Sequence, residues 1–374
     1  MLKNNASLDS FPCVLRKNHV EIEDANISKN LYHRTATGIA LFSAALISTI
    51  ISPYYFTIMA IVGLLFGMEQ TFPPALRDKI NEIGKEQGVT AELCQIDLWK
   101  MDEPKRYDVV LDRISQDVPF YRAVLKNMML GGTKVVNNPL WSTADEKFFS
   151  YSIAAKTGIH VPKTILVPSK LMPPDTSPAS FRNLKYPLSW DEMFEHIGFP
   201  AYFKPHAGGG WKSVYKINNP DDFFRAYDET DHLVMTLQEN IEFDQYYRCY
   251  CIGKKYVHIM PYEPRNPHHL RYAADFAPSK ELKKEMEEGC RKICETLGYD
   301  FNTIEFAVRD GIPYAIDFTN PAPDAEKSSV GEENFEWILE NAARYLIECA
   351  LPMKPSAKKG AKKKDTNWRE MILA

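Results

Sequence analysis

Residues 203–211 read FKPHAGGGW, and this short stretch does most to decide the fold. Lys204 stands at the end of a predicted strand, and three consecutive glycines follow it: Gly208, Gly209 and Gly210. The backbone amides of such a loop can close over phosphates, and three glycines cost chain entropy that an ordinary loop does not need to lose. The stretch therefore favours a phosphate-binding loop beside a lysine. Taken alone, it fits a surface hairpin loop beside an exposed lysine equally well.

A second stretch, residues 304–320, reads IEFAVRDGIPYAIDFTN and predicts a β-hairpin, because an Asp-Gly pair is a strong turn signal. Glu305 lies on one arm, and Asp317 with Asn320 lies on the other, so the three side chains are expected close together across paired strands. Two carboxylates within apolar strands are costly to bury unpaired, and a hard cation that bridges them to phosphate oxygens offsets that cost. The hairpin predicts a magnesium site. The alternative is a solvated strand face or a salt bridge to lysine.

Between these stretches, residues 237–248 read LQENIEFDQYYR. Gln238 and Glu239 end a strand that enters a crossover between domains, where ligand clefts commonly lie, and backbone groups there can border adenine. Glu242 is a candidate acceptor for ribose hydroxyls, and Arg248 on the next strand can stabilise the charge of a transferred phosphoryl group. For each residue taken singly, a surface role is an equal alternative.

The polar loop that follows contains two arginines and two histidines: Arg265, His268, His269 and Arg271. Its spacing is too irregular for a zinc motif, and no cysteine lies nearby. We interpret it as a loop that faces an anion, either a substrate carboxylate or an acyl-phosphate. An ordinary exposed loop is the alternative.

The composition is that of an ordinary globular protein. The 374 residues, 45% of them hydrophobic and 25% charged, are enough for a large core and for two or three domains. A net charge of −4 gives no general reason to expect a nucleic-acid partner. The seven cysteines are odd in number and lack CxxC pairs, which points to reduced thiols in the cytoplasm.

The amino-terminal region contains an apolar segment that raises the question of a membrane. Residues 39–51 are almost wholly apolar, but Pro53 interrupts the run, which is short for a bilayer. Residues 58–66 instead predict a buried strand that leads into a helix near Pro73. Residues 1–57 are thus expected to be an extension: a membrane anchor, an added helix, or sequence upstream of the true start. Association with a membrane through 39–51 is not favoured.

The rest of the chain divides into four predicted regions. Residues 58–138 alternate strands and helices as in an α/β domain, and Asp112 with Arg113 is expected to face a cleft because ligands gather at the carboxyl ends of such strands. Residues 139–237 predict a small antiparallel lid, and residues 238–351 predict a larger α+β half. Residues 352–374 are lysine-rich and are expected to form a solvated tail.

The order of these residues along the chain resembles the ATP-grasp superfamily of carboxylate–amine ligases. It runs from Lys147 on a predicted helix to Lys204 and the glycine loop, and then to Gln238, Glu239, Arg248, Glu305, Asp317 and Asn320. Its members include D-alanine–D-alanine ligases, glutathione synthetases and RimK-like glutamate ligases. The resemblance covers residues 58–350. It implies a mixed α/β and α+β architecture: an ATP-grasp fold with an N-terminal pre-ATP-grasp α/β domain, a small lid subdomain and a larger C-terminal subdomain.

The resemblance also implies roles for single residues, with ATP and Mg2+ as cofactors. Lys147 and Lys204 would contact phosphates, and residues 207–211 would form the lid loop over them. Gln238 and Glu239 would border adenine, with Glu242 toward the ribose. The magnesium ions would be held by three residues: Glu305, Asp317 and Asn320.

One departure from the family pattern affects the metal site. Relatives commonly carry Glu-x-Asn on the last metal strand, whereas two residues separate Asp317 from Asn320 here. A shorter aspartate with a one-residue insertion still reaches the metal if the strand bulges at that point.

The expected reaction is ATP-dependent ligation of a small-molecule or peptide carboxylate to an amine, with Lys204, Arg248 and Arg271 as the catalytic residues. A small-molecule kinase of the same fold is one alternative. A nucleotide-binding interaction protein with little turnover is another, and the spacing after Asp317 is its best support. A homo-oligomer is compatible with the sequence, and the fold leaves the substrates open.

Overall fold

The computed structural model describes residues 59–141, 146–209, 212–272 and 276–351, and in these ranges three four-stranded sheets carry the fold. The first sheet is parallel, in agreement with its alternation of strands and helices. Its order is β2 (Val89–Leu93), β1 (Ala60–Leu65), β3 (Val109–Asp112), β4 (Lys134–Val136), and it is accompanied by α1 (Phe72–Ile83) and α2 (Pro119–Leu130).

The second sheet is the antiparallel sheet predicted for the lid. It follows α3 (Lys147–Lys156), and its order is β5 (Thr164–Val167), β8 (Met235–Glu239), β6 (Ala201–Pro205), β7 (Tyr215–Ile217). Two helices cover it: α4 (Trp190–Ile197), to which the sequence analysis assigned no structure, and α5 (Pro220–Asp228). The side chain of Asn219 accepts a hydrogen bond from the backbone nitrogen of Asp222 at 2.9 Å, so it caps α5.

The third sheet is antiparallel and contains the predicted hairpin. Its order is β10 (Tyr256–Pro261), β9 (Gln245–Ile252), β11 (Phe301–Arg309), β12 (Ile312–Asp317), and its helices are α6 (Lys280–Leu297), α7 (Lys327–Val330) and α8 (Glu332–Ala350). Asp310 and Gly311 have φ angles of 55° and 76°. Positive φ at both central residues is what a tight two-residue hairpin turn requires, which explains the Asp-Gly pair.

The first sheet and the third sheet share one hydrophobic core, whereas the lid has its own. Val62 and Val109 of the parallel sheet lie in the same buried cluster as Tyr250 of β9, Phe301 of β11 and several residues of α8. The lid packs around a separate cluster that includes Phe203, Phe223 and Leu237. The lid is therefore packed as a unit of its own beside a larger body that holds both other sheets.

A buried asparagine joins the two halves of the larger body. The side-chain oxygen of Asn137, just after β4, accepts hydrogen bonds from the backbone nitrogens of Asp300 at 2.7 Å and Phe301 at 2.8 Å. Its amide nitrogen donates to the carbonyl oxygens of Phe301 at 2.7 Å and Pro321 at 3.0 Å. The end of the parallel sheet is thereby tied to the start of β11 and to the chain that leaves β12.

The expectation that Asp112 and Arg113 face a cleft is wrong, because both side chains are used inside the protein. The Arg113 side chain is 2% exposed and forms a two-pronged ion pair with Glu69, at 2.6 and 2.7 Å. It also donates to the carbonyl oxygen of Pro323 and lies 5.0 Å from the centre of the Phe72 ring. Asp112 accepts hydrogen bonds from the backbone of the turn that follows it, and burial raises its pKa.

The amino terminus of α1 is capped by a carboxylate that is distant in sequence. Thr71 precedes the helix but makes no side-chain cap. Instead, Glu326 accepts hydrogen bonds from the backbone nitrogens of Gln70, Thr71 and Phe72, at 3.1 to 3.2 Å. A carboxylate at this end also interacts favourably with the helix dipole. Burial opposes ionisation of Glu326, but these hydrogen bonds outweigh it and lower its pKa.

Replacement of Glu326 by glutamine is expected to lower the free energy of unfolding by about 1 kcal/mol at pH 7, because it removes the charge of the cap. The loss is no larger because Glu326 is only half-buried, so solvent screens its charge. A lowered pKa contributes stability above the unfolded value of about 4.3, and this contribution is lost as the pH falls through the folded value. The difference between wild type and variant should therefore shrink in acid. Urea unfolding at pH 7 and at about pH 3.5 measures it; a constant difference contradicts the role of the charge.

Several expectations fall outside the described residues. These are the assignments for residues 1–57 and 352–374, and those for Gly210 and Trp211 at the end of the glycine loop. Within the described ranges, no helix has the length and apolar character needed to cross a membrane. The predicted boundaries at 57/58, 138/139, 237/238 and 351/352 stay predictions.

Candidate active site

The hairpin brings its two carboxylates face to face. Glu305 on β11 pairs directly with Asp317 on β12, while the next residue, Phe306, pairs with Ala315. Ile316 is therefore an extra residue, and β12 bulges there. This bulge places Asp317 opposite Glu305, but it precedes Asp317, whereas the insertion noted in the sequence follows it.

Lys204 reaches the same place from the lid sheet. Its amino group donates to the hydroxyl of Tyr151 at 3.1 Å, and Tyr151 in turn donates to the carbonyl oxygen of Ile316 beside Asp317. Burial lowers the pKa of Lys204, but its interactions with Tyr151 and with the carboxylates of Asp317 and Glu305 outweigh burial and raise it. Lys204 is therefore a half-buried cation beside two carboxylates, at the junction of the lid and the third sheet.

Glu305 has three polar neighbours besides Asp317. The hydroxyl of Tyr246 donates to its Oε2 at 2.6 Å, and Arg248 Nε lies 3.7 Å from its Oε1. Burial, with the charge of Asp317, raises the pKa of Glu305, and the pull of Arg248, Tyr246 and Lys204 only partly opposes this. An additional positive charge at this place would relieve the repulsion between the two carboxylates.

Arg248 is held by aromatic residues. Its Nη1 donates to the hydroxyl of Tyr272 at 3.0 Å, and its guanidinium lies 5.6 Å from the ring centre of Tyr262. Arg271 donates to the hydroxyl of the same Tyr262 at 3.3 Å. Arg248 and Arg271 therefore both contact Tyr262. The sequence predicted that each of these arginines faces an anion.

Asn320 lies next to this group. Its backbone nitrogen donates to the side chain of Asn302 at 3.1 Å, and its amide nitrogen donates to the hydroxyl of Thr303 at 3.2 Å. Its amide oxygen is then the side-chain atom available to a cation. No set of three His, Cys, Asp or Glu side chains suited to a metal occurs in the described ranges. The donors that fit magnesium are accordingly two carboxylates and an amide oxygen, a set of hard oxygens.

Lys147 contacts the glycine loop. Its backbone nitrogen donates to the carbonyl oxygen of His206 at 2.9 Å, and its amino group donates to that of Gly208 at 2.7 Å. Gly208 has a φ of 88°, a conformation that favours glycine, and a Cβ there would meet no atom of the described residues within 4 Å. Lys147 and the described part of the loop thus lie together.

The predicted adenine residues are engaged within the protein through their side chains. Gln238 is 2% exposed and donates to the hydroxyl of Thr164 at 2.9 Å. Glu239 accepts from Arg309 at 3.0 Å and from the backbone of Lys163 at 3.2 Å. If these two residues border adenine, they would therefore contact it through backbone groups and not through their side chains. Glu242, the predicted ribose contact, is exposed.

Within the polar loop, the two arginines differ. Arg265 forms an ion pair with Glu263 at 2.6 Å, which neutralises its charge, and it is mostly exposed. Arg271 donates to the carbonyl oxygen of Asn266 at 3.1 Å as well as to Tyr262. His269 is exposed; the side chain of His268 is outside the description. Of these residues, Arg271 is the one that the structure connects to the group around Glu305.

Sequence reasoning missed the tyrosines that surround the charged residues: Tyr151, Tyr246, Tyr262 and Tyr272. One signal was available, because Tyr246 stands two residues before Arg248 on β9, and alternate residues of a strand share a face. The other three come from different elements, and no local pattern in the sequence connects them to Glu305 or Lys204.

Comparisons with known proteins agree with this fold. No family model matches the sequence. A D-alanine–D-alanine ligase of Clostridium botulinum is 24% identical over an alignment of 191 residues, and the match covers 46% of this chain and 61% of that protein. The chain thus matches less than two thirds of the length of this curated relative.

Solved structures resemble the chain over a longer range. A D-alanine–D-alanine ligase from Bacillus anthracis covers 78% of this chain and 97% of its own, with a TM-score of 0.54 and 18% identity. A RimK domain ATP-grasp protein from Sphaerobacter thermophilus covers 77% and 100%, with a TM-score of 0.55 and 16% identity. The chain therefore has the ATP-grasp fold, and its resemblance to ATP-grasp carboxylate–amine ligases is supported.

Proposed function

We propose that this protein is an ATP- and magnesium-dependent ligase that phosphorylates a carboxylate and joins the resulting acyl group to an amine. One observation carries the proposal: the amino group of Lys204 from the lid sheet is linked through Tyr151 to Ile316, the residue before Asp317, and Asp317 faces Glu305 on the hairpin. A half-buried lysine beside two carboxylates that repel each other is suited to ATP phosphates with a bound cation. The ligase relatives make carboxylate activation the first choice among ATP-grasp reactions.

Each charged residue has a defined task in this proposal. The substrate carboxylate attacks the γ-phosphorus of ATP, the bond to the bridging oxygen breaks, and ADP leaves. Lys204 and Arg248 stabilise the charge that spreads over the transferred phosphoryl oxygens. The amine then attacks the acyl carbon and phosphate leaves, while Arg271 holds the anionic end of the substrate. Lys147 and the glycine loop cover the phosphates and exclude water that would hydrolyse the acyl-phosphate.

Magnesium fits the residues present, since Glu305, Asp317 and Asn320 offer hard oxygen donors on one side of the hairpin. These residues would hold the ion, which would supply positive charge to offset that of the phosphates. Despite the insertion after Asp317, Asn320 lies near the same strand, because its amide nitrogen donates to the hydroxyl of Thr303 on β11 at 3.2 Å. A cytoplasmic location follows from the same proposal, since ATP and reduced cysteines belong to that compartment.

Purified protein with Mg2+ and a pool of amino acids and small peptides is expected to release ADP, and Glu305→Gln should lower the release at least about 10²-fold. Asp310→Asn is the matched control, because Asp310 is an exposed carboxylate at the turn of the same hairpin. It should leave the rate unchanged. Equal rates in wild type and Glu305→Gln would refute the assignment.

The products distinguish the ligase from the alternatives. A new amide with one ADP and one phosphate per turnover supports the ligase. A stable phosphorylated product without an amide indicates a small-molecule kinase. Binding of ATP without ADP release from any carboxylate in the pool indicates a nucleotide-binding interaction protein.

A further inference from the structure

Arg248 and Glu305 stand directly opposite each other on β9 and β11, yet they are not hydrogen bonded. Opposed residues in an antiparallel pair have Cβ atoms about 4.5–5.5 Å apart, and arginine with a carboxylate usually forms a two-pronged pair at about 2.7–2.9 Å. Here the approach of Nε to Oε1 is 3.7 Å. The side chains are 11% and 21% exposed, so bulk solvent does little to separate them.

Two tyrosines form hydrogen bonds with the pair, one with Glu305 and the other with Arg248. Tyr246, which is 5% exposed, donates to Glu305 Oε2 at 2.6 Å. Tyr272 accepts a hydrogen bond from Arg248 Nη1 at 3.0 Å. Arg248 Nη2 also donates to the hydroxyl of Thr303 at 3.5 Å. The polar atoms that remain, one edge of each charged group, are Glu305 Oε1 and Arg248 Nε.

The edge left on Arg248 is unsatisfied. Its Nε is buried and has no hydrogen-bond partner among the described residues. A buried donor without a partner is costly, so a fold that only needed stability would let Arg248 close onto Glu305. The separation is explained if both edges receive a ligand.

We infer that Tyr246 and Tyr272 are positioning residues that keep Glu305 and Arg248 apart, so that Oε1 is turned to a divalent cation and Nε to a phosphoryl oxygen. The inference rests on the proposed function, because the cation and the phosphoryl group come from Mg2+ and ATP. Loss of the Tyr246 hydroxyl lets Glu305 rotate onto Arg248, so that Oε1 and Nε bond to each other and neither can bind a ligand.

The first test measures the Mg2+ dependence of binding of a non-hydrolysable ATP analogue by calorimetry. Tyr246→Phe is expected to weaken the apparent Mg2+ affinity about tenfold, the lower end for loss of a group that orients a metal ligand. In an Arg248→Met background the same substitution should cost less than about twofold, because no guanidinium remains to capture Glu305. Equal losses in both backgrounds would overturn the inference. Tyr247→Phe is the matched control, because the Tyr247 hydroxyl bonds to Gln245 instead, and it should change nothing.

The second test requires no nucleotide. A crystal structure of Tyr246→Phe should show Arg248 and Glu305 in a direct hydrogen bond at about 2.7–2.9 Å. A separation that stays near the value of the intact protein would overturn the inference. If the wild-type protein shows no Mg2+-dependent ATP binding, the proposed function fails, and the crystal structure still decides whether the tyrosines hold the pair apart.

Discussion

Replacement of Lys204 by methionine is expected to lower the rate of ADP release by about 10²–10³-fold, the range for loss of one preorganised group that stabilises transferring charge. Methionine keeps most of the length and apolar volume of the lysine side chain, so the lid sheet should stay intact. The effect is large because Lys204 is half-buried, so solvent screens its electrostatic interactions less than those of an exposed lysine. Its raised pKa keeps it charged throughout the range in which the enzyme would be assayed.

Lys216 provides the control for this prediction. It lies on β7, the strand that pairs with β6, and it is exposed. Lys216→Met should leave the rate of ADP release within about twofold of wild type, since an exposed charge is screened by solvent. Similar rates for both variants would remove Lys204 from the proposed mechanism. Circular dichroism and thermal unfolding of Lys204→Met would show whether a lost rate reflects a lost fold.

Replacement of Arg113 by methionine is expected to lower the free energy of unfolding by about 3–5 kcal/mol, the range for breaking a buried ion pair by removing one partner. The change leaves Glu69 without its two-pronged partner and the carbonyl oxygen of Pro323 without a donor. Urea unfolding monitored by fluorescence measures the change. A loss this large matters because Arg113 also joins the end of the parallel sheet to the chain that leaves β12, through its hydrogen bond to Pro323.

Arg106 is the matched control for the buried pair. It makes the same kind of contact, with its Nε and Nη2 on Glu92 at 3.0 and 2.7 Å, but the two side chains are 55% and 42% exposed. An exposed pair contributes about 0–1 kcal/mol, so Arg106→Met should cost little. If the two variants lose similar stability, burial is not what gives the Arg113 pair its strength.

Local patterns were enough for the elements that carry the fold. The Asp-Gly turn predicted the hairpin because few residue pairs accept positive φ at both positions. Alternating strands and helices predicted the parallel sheet that the structure shows. The order of Lys204, Glu305 and Asp317 along the chain pointed to one fold, which the solved structures support.

The partners of individual side chains were beyond the sequence. Arg113 looked like a cleft residue because it ends a strand, but packing of Phe72 and Phe301 around it buries its charge, and Glu69 then has to neutralise it. In the same way, Glu326 caps a helix whose first residues lie about 255 positions earlier. No local rule relates residues so far apart.

The sequence by itself thus determined most of the strands and helices, α4 excepted, and which charged residues could meet, because backbone periodicity and turn chemistry are local properties. Only the tertiary structure decided which of these charged side chains are paired with other groups of the protein and which can still bind a ligand. Strand register, burial and the tyrosines around Glu305 and Arg248 set that division. The physical reason is that the state of a buried charge depends on every group packed against it, whatever its distance along the chain.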